Sequence, residues 1–192
     1  MMHSLTKPEE TVEAIFRLYE QYGSEDYIGE KVSQIEHMTQ AAALAEAAGY
    51  DDEVILSAFF HDIGHLCEQE MEVERMEQYG VVNHENIGYD YLIQKGFSET
   101  IAKLVKSHVA AKRYLAFKEP AYYNILSEAS KQTLAHQGGK MTEAEALEFE
   151  ADPLHSLYVQ LRRWDDEAKE QNIPVPSLNK YKAMAIAHLQ NK

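Results

Sequence analysis

A histidine followed directly by an aspartate offers two adjacent metal ligands, His61 and Asp62, in the run Phe59-Phe60-His61-Asp62-Ile63-Gly64-His65. The imidazole can supply one nitrogen, while the carboxylate can place one oxygen on the same ion and the other on a second ion. Further candidate ligands precede and follow this pair: His37, His84, His108 and Asp165. Six such ligands are too many for one catalytic ion that keeps an open position, so we predict a dinuclear site.

The elements that must position these residues are predicted to be helices. The signals before the pair are, in order, a capping box at Ser33 and Glu36, a C-terminal cap at Gly49, and an acidic helix start at Asp51 and Asp52. The helix that begins there has an apolar face and is predicted to carry His61 and Asp62 into the interior. Gly64 is expected to weaken or end it.

The rest of the chain shows more helical signals and no sustained strand alternation. The predicted elements are, in order, a charged surface excursion at 68–82, a helix capped by Asn83 from His84 to about Lys95, a helix from about Glu99 to Leu115, a helix from Tyr122 to Ala135, a capping box at Thr142 and Glu145, a helix over about 155–170, and a last helix from about Leu178. We therefore predict one all-α domain over 1–192.

Composition limits the classes of partner. The 192 residues carry a net charge of −14 and no basic stripe, which argues against nucleic acid and against an anionic membrane surface. A small anionic substrate remains compatible, because metal ions can dominate the field inside an acidic protein. Cys67 is the single cysteine and can form no internal disulfide. With no signal-peptide core and no apolar run of ~20 residues, we expect a cytoplasmic location.

The order of the ligands along the chain resembles the HD-domain superfamily, whose members hold metals with His…His-Asp…Asp inside a helical bundle. The resemblance implies an all-α, HD-domain helical bundle around a dinuclear metal site. One ion would take His37, His61, Asp62 and Asp165, and a second ion would take Asp62, His84 and His108.

A closer resemblance is to the PhnZ-like family of HD-domain oxygenases. The matching motifs are Asp26-Tyr27-Ile28-Gly29-Glu30, Gln34-x-Glu36-His37, Ala58-Phe59-Phe60-His61-Asp62-Ile63-Gly64-His65-Leu66, His108-Val109-Ala110-Ala111-Lys112-Arg113-Tyr114-Leu115, Ser130-Lys131-Gln132-Thr133-Leu134-Ala135 and Trp164-Asp165. The resemblance implies a mixed-valent Fe(II)/Fe(III) pair of iron ions. Such enzymes use O₂ to break the carbon–phosphorus bond of a 1-hydroxyalkylphosphonate, releasing phosphate and a carboxylic acid.

Four residues are predicted to bind the phosphonate group. His65 and Lys112 each follow a metal-ligating histidine by four residues, so on a helix each lies one turn beyond that ligand. Ser130 and Thr133 have helical spacing and can add hydroxyl donors. In the family that this chain resembles, the matching positions bind the same group.

Tyr27 and Glu30 match a mobile pair of that family, in which the tyrosine can occupy an iron position and the glutamate receives a substrate ammonium. The resemblance favours 2-amino-1-hydroxyethylphosphonate as substrate and glycine as product. The 2-trimethylammonio analogue, which would give glycine betaine, is the alternative. A separate 2-oxoglutarate-dependent phosphonate hydroxylase would install the 1-hydroxyl group and act as the functional partner.

Two other classes of function compete with this one. Many HD proteins are metal-dependent phosphohydrolases that activate water and need no oxygen, and the metal ligands alone fit that chemistry too. A binding module with a degenerate HD site is disfavoured by the complete ligand set. Residues that match no motif are expected to be structural or exposed: His3, His136, His155, His188, and Arg162 and Arg163 in surface ion pairs.

Overall fold

Helices provide the regular structure of residues 6–27, 29–69, 72–75 and 80–191, which the computed structural model describes and among which there is no β-strand. The α-helices are α1 (Lys7–Tyr22), α2 (Gln34–Ala47), α3 (Asp52–Phe60), α4 (Ile63–Leu66), α5 (His84–Gln94), α6 (Glu99–Lys118), α7 (Tyr122–Ile125), α8 (Glu128–His136), α9 (Glu143–Ala151), α10 (His155–Glu167) and α11 (Asn179–Gln190). The predicted all-α class is confirmed.

The centre of the bundle is α6, which packs against α3, α5 and α10. Its 20 residues begin at a capped end, where the Ser98 side chain accepts a hydrogen bond from the Ile101 amide. The buried face of α6 is mostly aliphatic, but it also carries His108 and Lys112. Buried polar groups need partners, so His108 and Lys112 indicate the part of the core where a functional site can form.

An aromatic cluster fixes the end of α3 from which the His-Asp pair continues. Phe59 stacks against Tyr181 with ring centroids 4.5 Å apart and against Phe16 at 5.4 Å. Phe60 packs edge-on against Phe97 at 5.3 Å. Burial of each such ring stabilises the fold by about 1.5–3 kcal/mol, so the residue that follows Phe60 is held on a rigid base.

A smaller apolar cluster attaches α7 and α8 to the C-terminal half of α6. It consists of Leu115, Tyr122, Leu126 and Leu134, all almost fully buried. This cluster places one face of α8, which includes Ser130, opposite Lys112 of α6.

Most predicted helix starts are confirmed, and two details are wrong. Reciprocal capping boxes occur at Ser33 with Glu36 and at Thr142 with Glu145. Asn83 does precede α5, but its backbone is left-handed (φ 61°) and its side chain makes no capping hydrogen bond. The helix predicted from Tyr122 to Ala135 is divided into α7 and α8, because the Ser127 side chain caps a new start by accepting from the Ser130 amide.

Other boundaries differ by a few residues. The long central helix continues to Lys118 rather than Leu115, and the helix predicted over 155–170 ends at Glu167. No signal was assigned to α1, although Thr6 and Glu9 form a capping box at its start. Within the parts of the chain described above, no helix is both long enough and apolar enough to span a lipid bilayer.

The predicted surface excursion at 68–82 falls partly outside the described residues, which omit 70–71 and 76–79. Its described end is not at the surface, since Val81 is 1% exposed. The Val81 amide donates to Nδ1 of His65, and its carbonyl accepts from Nδ1 of His84. This segment therefore forms one wall of the site.

Candidate metal centre

Five elements bring the six predicted ligands together in the interior. His37 comes from α2, the His61-Asp62 pair follows α3, His84 opens α5, His108 lies in α6 and Asp165 in α10. All six side chains are buried, with exposed fractions between 0% and 5%. So many polar groups in a core require either mutual compensation or a bound cation.

The His-Asp pair lies in a helix break rather than inside a helix, which corrects the sequence expectation. α3 ends at Phe60, and Asp62 has φ −105° and ψ 14° before α4 begins at Ile63. Successive side chains on an α-helix point about 100° apart, because the helix has 3.6 residues per turn. The break relaxes that constraint and lets His61 and Asp62 face the same centre.

Gly64 allows α4 to approach the start of α5. A Cβ atom at this position would lie 1.9 Å from the carbonyl oxygen of His84. Any side chain there would force His84 away from the centre. The expected end of the helix at Gly64 is therefore wrong, since the glycine lies inside α4 and serves a close backbone contact.

The first group of ligand atoms consists of His37, His61, Asp62 and Asp165. Nε2 of His37 lies 3.0 Å from Nε2 of His61, 3.6 Å from Asp62 Oδ2 and 3.4 Å from Asp165 Oδ1. Nε2 of His61 lies 3.3 Å from Asp62 Oδ2 and 3.9 Å from Asp165 Oδ1. Ligands about 2.0–2.1 Å from a common ion and at right angles to each other would lie about 3 Å apart, as these atoms do.

The second group uses the other oxygen of the same aspartate. Nε2 of His84 and Nε2 of His108 lie 2.9 Å apart. They lie 3.4 Å and 3.3 Å, respectively, from Asp62 Oδ1. Asp62 thus presents one carboxylate oxygen to each pair of histidines, as a bridging ligand requires.

Backbone carbonyls orient all four imidazoles in the same way. Nδ1 of His37, His61, His84 and His108 lies 2.7–3.2 Å from the carbonyl oxygens of Ala168, Ala58, Val81 and Val105, respectively. A carbonyl only accepts, so each Nδ1 carries the proton and each Nε2 directs a lone pair inward. Two such lone pairs at 3.0 Å repel each other unless a cation lies between them.

The carboxylates also indicate a cation. Asp62 Oδ2 and Asp165 Oδ1 are buried without a hydrogen-bond partner. The centre attracts positive charge, which a proton or a metal ion can supply: burial alone favours a neutral His61, but attraction to Asp62 and Asp165 raises the pKa of its imidazole to about 9. The donor set of imidazole nitrogens and carboxylate oxygens, with no thiolate, suits iron and other first-row metals. The residues present therefore fit a pair of metal ions.

Arg162 stabilises Asp165 of the first group. It is 3% exposed, and its Nη1 donates to Asp165 Oδ2 at 2.7 Å. The prediction that Arg162 forms an ion pair at the surface is therefore wrong. Burial opposes ionisation of Asp165, but the guanidinium holds the pKa of its carboxyl well below its usual range. Arg162 thus leaves one oxygen of Asp165 free to face the histidines. The neighbouring Arg163 does pair at the surface, with Glu119.

A small cavity opens beside the second group and is lined by all six residues predicted to contact substrate. These are Tyr27, Glu30, His65, Lys112, Ser130 and Thr133. Asp62, His84, His108 and Asp165 form its metal-facing side. The cavity shares Val109 and Gln137 with a larger surface groove, which offers an approach from solvent.

Lys112 and His65 supply hydrogen-bond donors to this cavity. Lys112 is 3% exposed and donates to Thr133 Oγ1 at 2.8 Å. Burial, with a smaller effect from Arg162, lowers the pKa of the Lys112 ammonium to about 7. His65 accepts the Val81 amide at Nδ1, so its neutral form carries the proton on Nε2. Burial holds the pKa of His65 well below its usual range.

Tyr27 covers the first group. Its ring stacks on His37 with centroids 3.9 Å apart and planes 15° apart. Burial, together with the nearby Asp62 and Asp165 carboxylates, raises the pKa of the phenol well above its usual value. The phenol is therefore protonated at neutral pH.

Sequence reasoning missed three polar residues in or next to the cavity. Lys169 follows α10 and donates to Glu30, while Gln137 lines the cavity with a side-chain oxygen that is buried and has no hydrogen-bond partner. The Ser127 hydroxyl also donates to Glu30. Lys169 follows Asp165 by four residues, but the helix ends between them, so no helical spacing marks it.

The described histidines that match no motif do not join the centre. His155 bonds the Asp152 carbonyl, and His188 accepts from the Ser98 amide. His136 lines the larger groove, and His3 lies outside the described residues. Cys67 is buried and is not among the residues grouped as possible metal ligands.

The HD domain family matches residues 34–171, a range that contains every proposed ligand. The chain belongs to the HD-domain family. This HD-domain protein is 40% identical to the hydroxymethylphosphonate dioxygenase of Gimesia maris, over 93% of this chain and 88% of that protein. It is 39% identical to the [1-hydroxy-2-(trimethylamino)ethyl]phosphonate dioxygenase (glycine-betaine-forming) of Leisingera caerulea, over 86% and 83% of the two chains.

A further relative is uncharacterized protein L432 of Acanthamoeba polyphaga mimivirus, 47% identical over 94% of this chain and 82% of that one. The resemblance to phosphonate-cleaving, PhnZ-like HD-domain oxygenases is confirmed, because two relatives that match most of the chain are named phosphonate dioxygenases. The chain is thus an HD-domain relative of oxygenases that act on small phosphonates.

Proposed function

We propose that this protein is a dinuclear iron oxygenase that uses O₂ to cleave the carbon–phosphorus bond of a 1-hydroxyalkylphosphonate. The observation that carries the proposal is the joining of two ligand groups through Asp62, next to a cavity that contains a buried lysine. One phosphonate and one O₂ would give one carboxylate, one phosphate and one proton. No other co-substrate is needed for atoms and charge to balance.

His37, His61, Asp62 and Asp165 would hold one iron, and Asp62, His84 and His108 the other. Bound as a mixed-valent Fe(II)/Fe(III) pair, the irons would supply the activation of O₂ and the oxidation of the carbinol carbon. The second group has fewer ligands than the first and borders the cavity, so positions for exogenous ligands remain there.

The phosphonate would bind between Lys112, His65 and the hydroxyls of Ser130 and Thr133. Lys112 already donates to Thr133, so an arriving anion would meet an oriented donor pair. A negatively charged group beside Lys112 would also raise its pKa and keep the ammonium protonated. His65 would donate from Nε2, because its Nδ1 accepts the Val81 amide.

Tyr27 would act as a gate for the metal centre. Its stacking on His37 and its proximity to the carboxylates block one approach to the first group. Substrate binding would displace the ring and admit the reacting groups together. Such gating delays oxidation until substrate is present and excludes water from the site.

A finer part of the proposal is the identity of the substituent on the carbinol carbon. Sequence resemblance favours the primary amine, 2-amino-1-hydroxyethylphosphonate, with glycine as product. The named relatives act on hydroxymethylphosphonate and on the trimethylamino compound, whose product is glycine betaine. A 2-oxoglutarate-dependent hydroxylase acting on the parent phosphonate would supply the substrate in each case.

The test is phosphate release from iron-loaded protein given each of the three hydroxyphosphonates, with oxygen present and with oxygen removed. We expect release from at least one compound only when oxygen is present, and none from an Asp62→Ala variant. Release that persists without oxygen would contradict the proposal and favour a phosphohydrolase, which the HD domain also fits.

A further inference from the structure

Glu30, the carboxylate predicted to receive the substrate's ammonium group, is already paired with the side chain of Lys169. Lys169 Nζ lies 2.9 Å from Glu30 Oε1 and 3.3 Å from Ser130 Oγ. The Ser127 hydroxyl donates to the same Glu30 oxygen at 2.5 Å. The side chains of Lys169 and Glu30 are 16% and 13% exposed, so solvent screens this ion pair only partly.

The aromatic surface near Glu30 faces the same cation. Lys169 Nζ lies 5.9 Å from the centroid of the Tyr27 ring, within the range of a cation–π contact. A primary ammonium would need the Glu30 carboxylate, and a trimethylammonium would need that carboxylate and an aromatic face. Lys169 already contacts both the Glu30 carboxylate and the Tyr27 ring.

From this arrangement we infer that Lys169 determines substrate class, by neutralising Glu30 and selecting 1-hydroxyalkylphosphonates whose substituent carries no positive charge. Hydroxymethylphosphonate is the smallest such compound. A substrate ammonium at Glu30 would lie beside the Lys169 ammonium, and two like charges at that separation repel in a poorly screened cavity. This inference rests on the proposed function, and it replaces the primary amine favoured by sequence with an uncharged substituent.

Lys169 acts here as a specificity residue and not as a catalytic one. Its hydrogen-bond partners are Glu30 and Ser130 rather than any metal ligand. Its removal should therefore change which phosphonate binds while the metal centre stays intact.

The experiment compares wild type with Lys169→Met, which removes the charge and keeps the length, and with Lys169→Arg, which keeps the charge. Binding of hydroxymethylphosphonate and of 2-amino-1-hydroxyethylphosphonate is measured by calorimetry on iron-loaded protein without oxygen, and kcat/KM is then measured in air. Iron content is checked for each variant. We expect wild type and Lys169→Arg to prefer the uncharged compound, and Lys169→Met to shift the ratio of affinities by about tenfold or more towards the amine.

A wild-type preference for the amine, or an unchanged ratio in Lys169→Met, would overturn the inference. Anaerobic binding separates this inference from the proposed function. Absence of phosphate release from every compound in air would refute the oxygenase proposal, and the binding ratios would still decide the role of Lys169.

Discussion

The two halves of the site differ in how they are built. The metal-binding half is made of side chains that are at most 5% exposed, and four backbone carbonyls fix its imidazoles. The rim of the substrate-binding half, where Glu30 meets Lys169, lies on segments outside the long helices and is partly exposed. If the proposals above hold, the buried core would fix the reaction chemistry, and substitutions at the rim could change substrate choice without disturbing the metal ligands.

Removal of the bridging carboxylate should have the largest effect. Asp62→Ala removes a ligand from both groups and leaves four inward lone pairs uncompensated, so we expect loss of the dinuclear centre and of all activity. Iron analysis and turnover measure this. Asp52→Asn is the control, since Asp52 lies exposed in the first turn of α3 and should keep full iron and activity. Unchanged iron in Asp62→Ala would contradict the bridging role.

Gly64→Ala should displace the backbone of His84 and so disrupt the second ligand group. The new methyl would collide with the His84 carbonyl, so we expect loss of iron from the His84 and His108 position and a fall of about 1–3 kcal/mol in the free energy of unfolding. Denaturation and metal analysis measure both effects. Gly139→Ala, at a φ of 71° with nothing within 4 Å, should cost only about 1 kcal/mol and keep both irons.

Lys112→Met should weaken substrate binding and leave the metal centre intact. We expect KM for the phosphonate to rise about tenfold or more with iron content unchanged, because a buried anion would lose its cation. Lys103→Met, on an exposed face of the same helix, should change neither quantity. An unchanged KM in Lys112→Met would remove the lysine from the phosphonate site.

The same lysine predicts a pH dependence. Burial lowers the pKa of Lys112 to about 7, so in the free enzyme the ammonium loses its proton as the pH rises through that value. Binding of the anionic phosphonate requires the protonated form, and KM should therefore be lowest below about pH 7 and rise above it. In Lys112→Met this rise should be absent. A wild-type KM that stays flat between pH 6 and 9 would argue against a titrating Lys112.

Thr142→Ala should have the smallest effect and should leave both halves intact. Thr142 and Glu145 form a capping box at the start of α9, and neither residue lines the cavity. We expect the free energy of unfolding to fall by about 0.5–2 kcal/mol, with iron content and kcat/KM unchanged. Thermal denaturation and turnover check the two parts. A loss of activity beyond the loss of folded protein would mean that α9 is coupled to the site.

The sequence was more informative about the metal half than about the rim. Four of the six ligands lie on helices that the sequence predicts, and the six side chains do meet in the interior. Reasoning failed where the backbone departs from regular helix: the turn at His61, the close approach at Gly64, and Val81 beneath His65. Lys169 was missed because it meets Glu30, 139 residues earlier, only through tertiary folding.

The most direct test of the central claim is to measure oxygen uptake and phosphate release together, from iron-loaded protein given hydroxymethylphosphonate in a sealed chamber. We expect one phosphate for each O₂ consumed, formate as the carbon product, and no phosphate before oxygen is admitted. Phosphate release without oxygen uptake would contradict the claim, since a centre that only activates water has no need of O₂.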